Sequence, residues 1–127
     1  MWQVLVVGVG GFIGTALRFG VNQIPFASAF PFATLLVNII GSFVIGFVSE
    51  FIKEEFLPYP NAVLFIQTGL CGGFTTFSAF SLETTKLLKD AHYLQAGAYV
   101  LLSVALCLVG CILGIGCAKA LKKGLAA

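Results

Sequence analysis

The sequence predicts an all-α integral membrane protein: four transmembrane helices in a single domain spanning residues 1–127, with the third helix broken mid-membrane. Three observations carry that prediction. Charged residues make up 9% of the chain against 59% hydrophobic, with a mean hydropathy of +1.05. A soluble domain usually carries about 25% charged residues, so this chain cannot cover itself with a water-compatible surface. Residues 30–49, 61–82 and 93–118 carry no charge, and residues 4–24 carry only Arg18. Each run is long enough to cross a bilayer core of about 30 Å, which takes roughly 20 helical residues. Finally, glycines and hydroxyls collect inside the third run, in Gly72-Gly73-Phe74-Thr75-Thr76.

Helix 1 is expected at about 4–24. It lacks a basic start, and Arg18 falls where a signal-peptide cleavage site belongs, so it reads as a retained span. Its "VLVVGVGGFIG" superficially suggests a dinucleotide-binding turn. Ile13 stands where the third glycine of that motif is required, and no acidic residue follows at ribose distance. Gly10 and Gly14 instead make a small-xxx-small face that admits a close helix neighbour. Pro25 and Pro31 bracket the next connection, and helix 2 is expected at about 31–52. There Asn38, Ser42 and Gly46 recur every four residues on one stripe. An amide at that depth serves either as interhelical glue or as a ligand.

"KEEFLPYP" forms the 2–3 loop, and helix 3 is expected over about 61–89, with a break at 72–76. Glycine is poor in a helix interior and threonine is stiff at χ1, and together they interrupt it. Unwound backbone at this depth is tolerated only if buried in protein or lining a cavity. The break is then either a kink satisfied by its neighbours or a source of free carbonyls suited to a hard cation such as Na⁺. Beyond it, Phe77 and Phe80 share one face, with Ser78 and Ser81 on an adjacent one. Two such rings ordinarily just pack. Their edges, however, carry partial positive charge, and neighbouring hydroxyls donate hydrogen bonds, so the same group suits a path for a small anion.

Helix 4, expected at about 94–119, sets Tyr99, Ser103, Cys107 and Cys111 on one face. A buried phenol needs a partner for its hydroxyl, so this face looks towards something polar. The four cysteines form no CxxC pair and read as inert packing residues. His92, between helices 3 and 4, reads as solvated. The net charge of +2 points to no nucleic-acid partner, and no catalytic dyad is visible, so the chain does not read as an enzyme. Lys53, Lys119, Lys122 and Lys123 fall on one side of the membrane and Arg18, Lys86 and Lys89 on the other. That feeble bias fits either a protein of few charges or one that inserts both ways round and pairs antiparallel.

"GGFTTFSAFSLET" closely resembles the signature of the CrcB/Fluc fluoride channels. The resemblance extends over the whole chain, through "GxxxRF" at Gly14 to Phe19, "FPFATLLVNIIGSFVIG" at 30–46, and Tyr99 with Ser103. It implies an antiparallel, dual-topology homodimer with two fluoride pores, exporting F⁻ passively across a bacterial inner membrane and so protecting the cell from fluoride. Position by position it implies Phe77 and Phe80 as the pore-lining phenylalanine box. Asn38, Ser81, Ser78, Tyr99 and Ser103 would line the fluoride path, with Arg18 towards an aqueous vestibule. The backbone carbonyls of Gly72 and Thr75 would hold a structural, non-transported Na⁺ at the dimer centre. Cys107 departs from the pattern, since some members carry a serine there and a thiol donates more weakly.

Two other readings compete. A proton-coupled small multidrug-type exporter needs a membrane-embedded carboxylate, and Glu50 and Glu83 lie near predicted helix ends. A non-transporting membrane assembly subunit would use the polar faces only as glue between helices.

Overall fold

The computed structural model describes residues 1–53 and 60–127; the 2–3 loop expected from Lys53 to Pro60 falls largely outside them. Its elements are α1 (Trp2–Asn22), α2 (Phe32–Phe51), α3 (Pro60–Val63), a π-helix (Leu64–Cys71), α4 (Gly72–Phe74), α5 (Phe77–Lys89) and α6 (Tyr93–Ala126). The segment from α3 to α5 is one bent span. With α1, α2 and α6 it makes four stretches long and apolar enough to cross a membrane.

Lipid supplies no hydrophobic drive between helices, so close backbone approach holds such bundles together. Two glycine seams provide it here. α1 lies against the π-helix and α4, and α2 runs along α6. In the first seam, a Cβ at Gly10 or Gly14 would strike the carbonyl oxygen of Phe65 or Leu70. Gly69 answers from the other side, where a Cβ would stand 2.8 Å from the Val7 carbonyl oxygen. In the second, Gly46 abuts the Cys111 carbonyl and Gly114 the Phe43 carbonyl. A core of Leu35, Leu87, Ala96 and Tyr99 closes the bundle towards one end, with Phe30, Ile39 and Phe80 packed against it.

The interruption of the third span is narrower than 72–76. Gly72 and Gly73 remain helical in α4; only Thr75 (φ −83°, ψ 156°) and Thr76 (φ −152°, ψ 115°) are extended. β-branched residues favour that conformation. Gly73 serves packing instead, because a Cβ there would meet the Gly11 carbonyl and Thr15 Oγ1. Upstream, the π-helix widens the turn, an arrangement that recurs at functional sites.

Candidate functional site

Breaking a helix inside a membrane exposes polar backbone on both sides of the break, and each group needs a partner. At the end of α4, Cys71's carbonyl accepts Thr75 N–H (2.9 Å) and Thr75 Oγ1 (2.8 Å). Gly73's carbonyl accepts Arg18 Nε at 3.0 Å and, more weakly, Thr15 Oγ1 at 3.5 Å. The Thr76 amide, which an unbroken helix would give to Gly72, goes to Asn38 Oδ1 at 2.8 Å. Asn38 Nδ2 in turn donates to the Thr76 carbonyl at 3.1 Å. Gly72's carbonyl is thereby left without its intrahelical donor. Thr76 also caps α5, its Oγ1 accepting Ala79 N–H at 3.2 Å.

The break opens on a cavity of about 460 Å³ between α2, the bent span and α6. Asn38, Gly72, Thr75, Phe77, Phe80 and Ser103 all line it. These residues, scattered from 38 to 103 in sequence, are therefore brought together. Ser103 Oγ is buried there with no hydrogen-bond partner among the described residues, and its hydroxyl can donate or accept. Electrostatically the break presents two opposite poles: the carbonyl end of one helix and the amide end of α5. The first suits a cation and the second an anion. Among the described residues no group of three or more His, Cys, Asp or Glu is placed to hold a metal. The oxygens available to a hard cation are backbone carbonyls, and Gly72 and Thr75, both on the cavity wall, fit that chemistry.

Phe80 leads out of the cavity. Its ring meets Phe77 at 5.3 Å and packs edge-on against Tyr99 at 5.0 Å. Tyr99, wholly buried, donates from its hydroxyl to Glu83 Oε2 at 2.7 Å, while Thr34 Oγ1 donates to Glu83 Oε1 at 2.7 Å. Tyr99 is thus beside the cavity, not on its wall. Arg18 holds α4's end and does not line this cavity. Ser78 and Ser81 are also outside it and exposed. The Ser81 hydroxyl donates to the Phe77 carbonyl at 3.0 Å, so it solvates an ion only by giving up that bond.

Two residues escaped the sequence reading. Glu83 looked like a helix-end carboxylate, and only the fold sets Thr34 and Tyr99 on its two oxygens. Its position three residues after Phe80, on the same face of one helix, was the available signal. Gln67, a second mid-span amide, lines the cavity and was legible as an uncharged polar residue inside an apolar run. Cys107 is on the cavity wall, one turn beyond Ser103.

Comparison with known proteins gives the family of the chain. Residues 5–115 match the family model described as CrcB-like protein, Camphor Resistance (CrcB). A relative from Chlorobium chlorochromatii is 44% identical over 115 residues, covering 89% of each chain. One from Chlorobium phaeobacteroides is 49% identical over 102 residues, 79% of each. One from Elusimicrobium minutum is 44% identical over 122 residues, 92% of this chain and 94% of its own. All three are named fluoride-specific ion channels. The match covers every span and the break, and the chain belongs to the CrcB family of multi-pass membrane proteins.

Proposed function

We propose that the protein is a fluoride-selective channel that exports F⁻ passively from the cytoplasm across the cell inner membrane, protecting the cell from fluoride. The observation that carries this reading is the cavity at the break. It joins aromatic rings, an amide and an unpartnered serine hydroxyl to the amide end of a half-helix, without a lysine or arginine on its wall. Such a wall stabilises a small, partly dehydrated anion with ring edges, hydroxyls and the helix dipole. Neutral HF crosses lipid and ionises at near-neutral pH, and the trapped anion then leaves through a passive pore, driven by the inside-negative potential. No chemical step is required.

In this reading Phe77 and Phe80 form the aromatic box, and Asn38 and Ser103 line the path beside it. Tyr99 continues that line, with Ser78 and Ser81 on the neighbouring face of α5. Arg18 adds positive potential towards the vestibule. The working unit is an antiparallel, dual-topology homodimer. Its two-fold axis turns the Gly72 and Thr75 carbonyls into a four-oxygen cage for a structural Na⁺, supplying a fixed charge and tying the subunits together. The exporter alternative loses force at Glu83, whose two oxygens each receive a hydroxyl donor in the resting chain.

The test is reconstitution into liposomes in Na⁺ buffer, with fluoride and chloride efflux followed under an imposed potential. Fluoride should leave and chloride should stay. A well-folded protein that passes no fluoride sinks the channel reading and favours an assembly subunit. Phe80→Ile should lower fluoride flux about tenfold or more, equivalent to about 1.4 kcal/mol of barrier. An unchanged rate would make the ring a packing element only.

A further inference from the structure

We infer that Arg18 is a positioning residue for the cation site: by holding the Gly73 carbonyl it fixes the end of α4 so that the Gly72 and Thr75 carbonyls face the cavity. The inference rests on the Na⁺ reading above and goes beyond it, because Arg18 touches neither the cavity wall nor those carbonyls.

Three successive carbonyls at the end of the half-helix have three different fates. Cys71's is taken from within by Thr75, and Gly73's is taken from α1 by Arg18 Nε (3.0 Å) and Thr15 Oγ1 (3.5 Å). Gly72's loses its donor, because Asn38 diverts the Thr76 amide. Consecutive helical residues point about 100° apart. Gly73 therefore faces α1, where a Cβ would strike Gly11, while Gly72 faces open space with nothing within 4 Å of its would-be Cβ. With Cys71 and Gly73 clamped, Gly72, a residue of the cavity wall, keeps the one carbonyl of the three without a donor. Arg18 also sets its charge at the negative end of the half-helix dipole, on the face away from the cation. A frayed end would let Gly72 and Gly73 rotate, and a cation cage tolerates little rotation.

The test is a Na⁺ titration of thermal stability in detergent, with K⁺ keeping ionic strength constant, for the wild type, Arg18→Gln, Arg18→Lys and Thr15→Val. The wild type should be stabilised by Na⁺. Arg18→Gln should raise the Na⁺ concentration for half-maximal stabilisation about tenfold. Arg18→Lys, which keeps a donor and the charge, should raise it less. Thr15→Val, which removes only the weaker bond, should raise it about two- to threefold, and it decides the matter if Arg18→Gln fails to fold. A Na⁺ response in the wild type that the variants leave unshifted overturns the inference and leaves Arg18 only its proposed vestibule role. A wild type with no Na⁺ response overturns the cation reading and this inference together.

Discussion

Asn38 is glue of a specific kind as well as a residue of the cavity wall. Both ends of its amide engage one residue, accepting from the Thr76 N–H at 2.8 Å and donating one Nδ2 hydrogen to the Thr76 carbonyl at 3.1 Å, with the second Nδ2 hydrogen uncommitted. Only one amide orientation satisfies both partners, so its polarity follows from their chemistry. Extended backbone in a membrane has no water to turn to, and this side chain replaces the lost helical partners of Thr76. A buried group stripped of its partner costs about 1–3 kcal/mol. Asn38→Leu, close in size but unable to bond, should lower thermal stability by that order and abolish fluoride flux. Asn38→Asp keeps the acceptor and sets a carboxylate oxygen against the Thr76 carbonyl, so it should rescue neither fully. Thermal unfolding and liposome flux on the same preparations check this. If Asn38→Leu conducts normally, the break holds without its clamp.

At the scale of elements, the existence of four spans was legible because length and apolarity are local properties of a run. The break was legible in kind and misplaced in detail. Glycine's poor helix propensity marked Gly72-Gly73, yet both stay helical, and Gly73 packs closely against a neighbouring helix. Gly73 is small because α1 passes beside it, and Gly41 because Thr75 Cγ2 fills the space above it. Propensity read along a chain does not see a neighbour from 30 or 60 positions away. The turn between α5 and α6 was equally hidden. There Ala91 takes φ 58°, with His92 N–H bonded to the Leu87 carbonyl at 2.8 Å and Ala91 N–H to the Leu88 carbonyl at 3.2 Å. This is a Schellman cap with alanine where glycine is usual. A side chain in the left-handed region costs about 1 kcal/mol or slightly more. Ala91→Gly should therefore raise the thermal midpoint by a few degrees, read by circular dichroism in detergent. An unchanged or lower midpoint would mean that the turn relaxes without it.

For the whole molecule, the cavity is a face as much as a hole. Phe77, on its wall, is 78% exposed, and Ser103 Oγ beside it lacks a partner, so one chain leaves the proposed path incomplete. The aromatic and hydroxyl components were readable from residues 77–81. Which of them share a wall was not, because that depends on how α2 and α6 close around the break. In the proposed antiparallel dimer a second copy covers this face. Gly72 offers a clean way to test that claim. Most glycines in the two seams abut backbone within their own chain, so enlarging them confuses folding with assembly. Gly72 has nothing within 4 Å of its would-be Cβ, so a larger side chain fits the single chain. Gly72→Leu should keep helicity and the internal fold while shifting the mass in detergent from twice 13.4 kDa to one chain. Sedimentation or light scattering with detergent subtracted reads that shift, and circular dichroism confirms that helicity survives. A variant that stays dimeric and conducts would place the subunit contact away from the break, and the four-carbonyl cage with it.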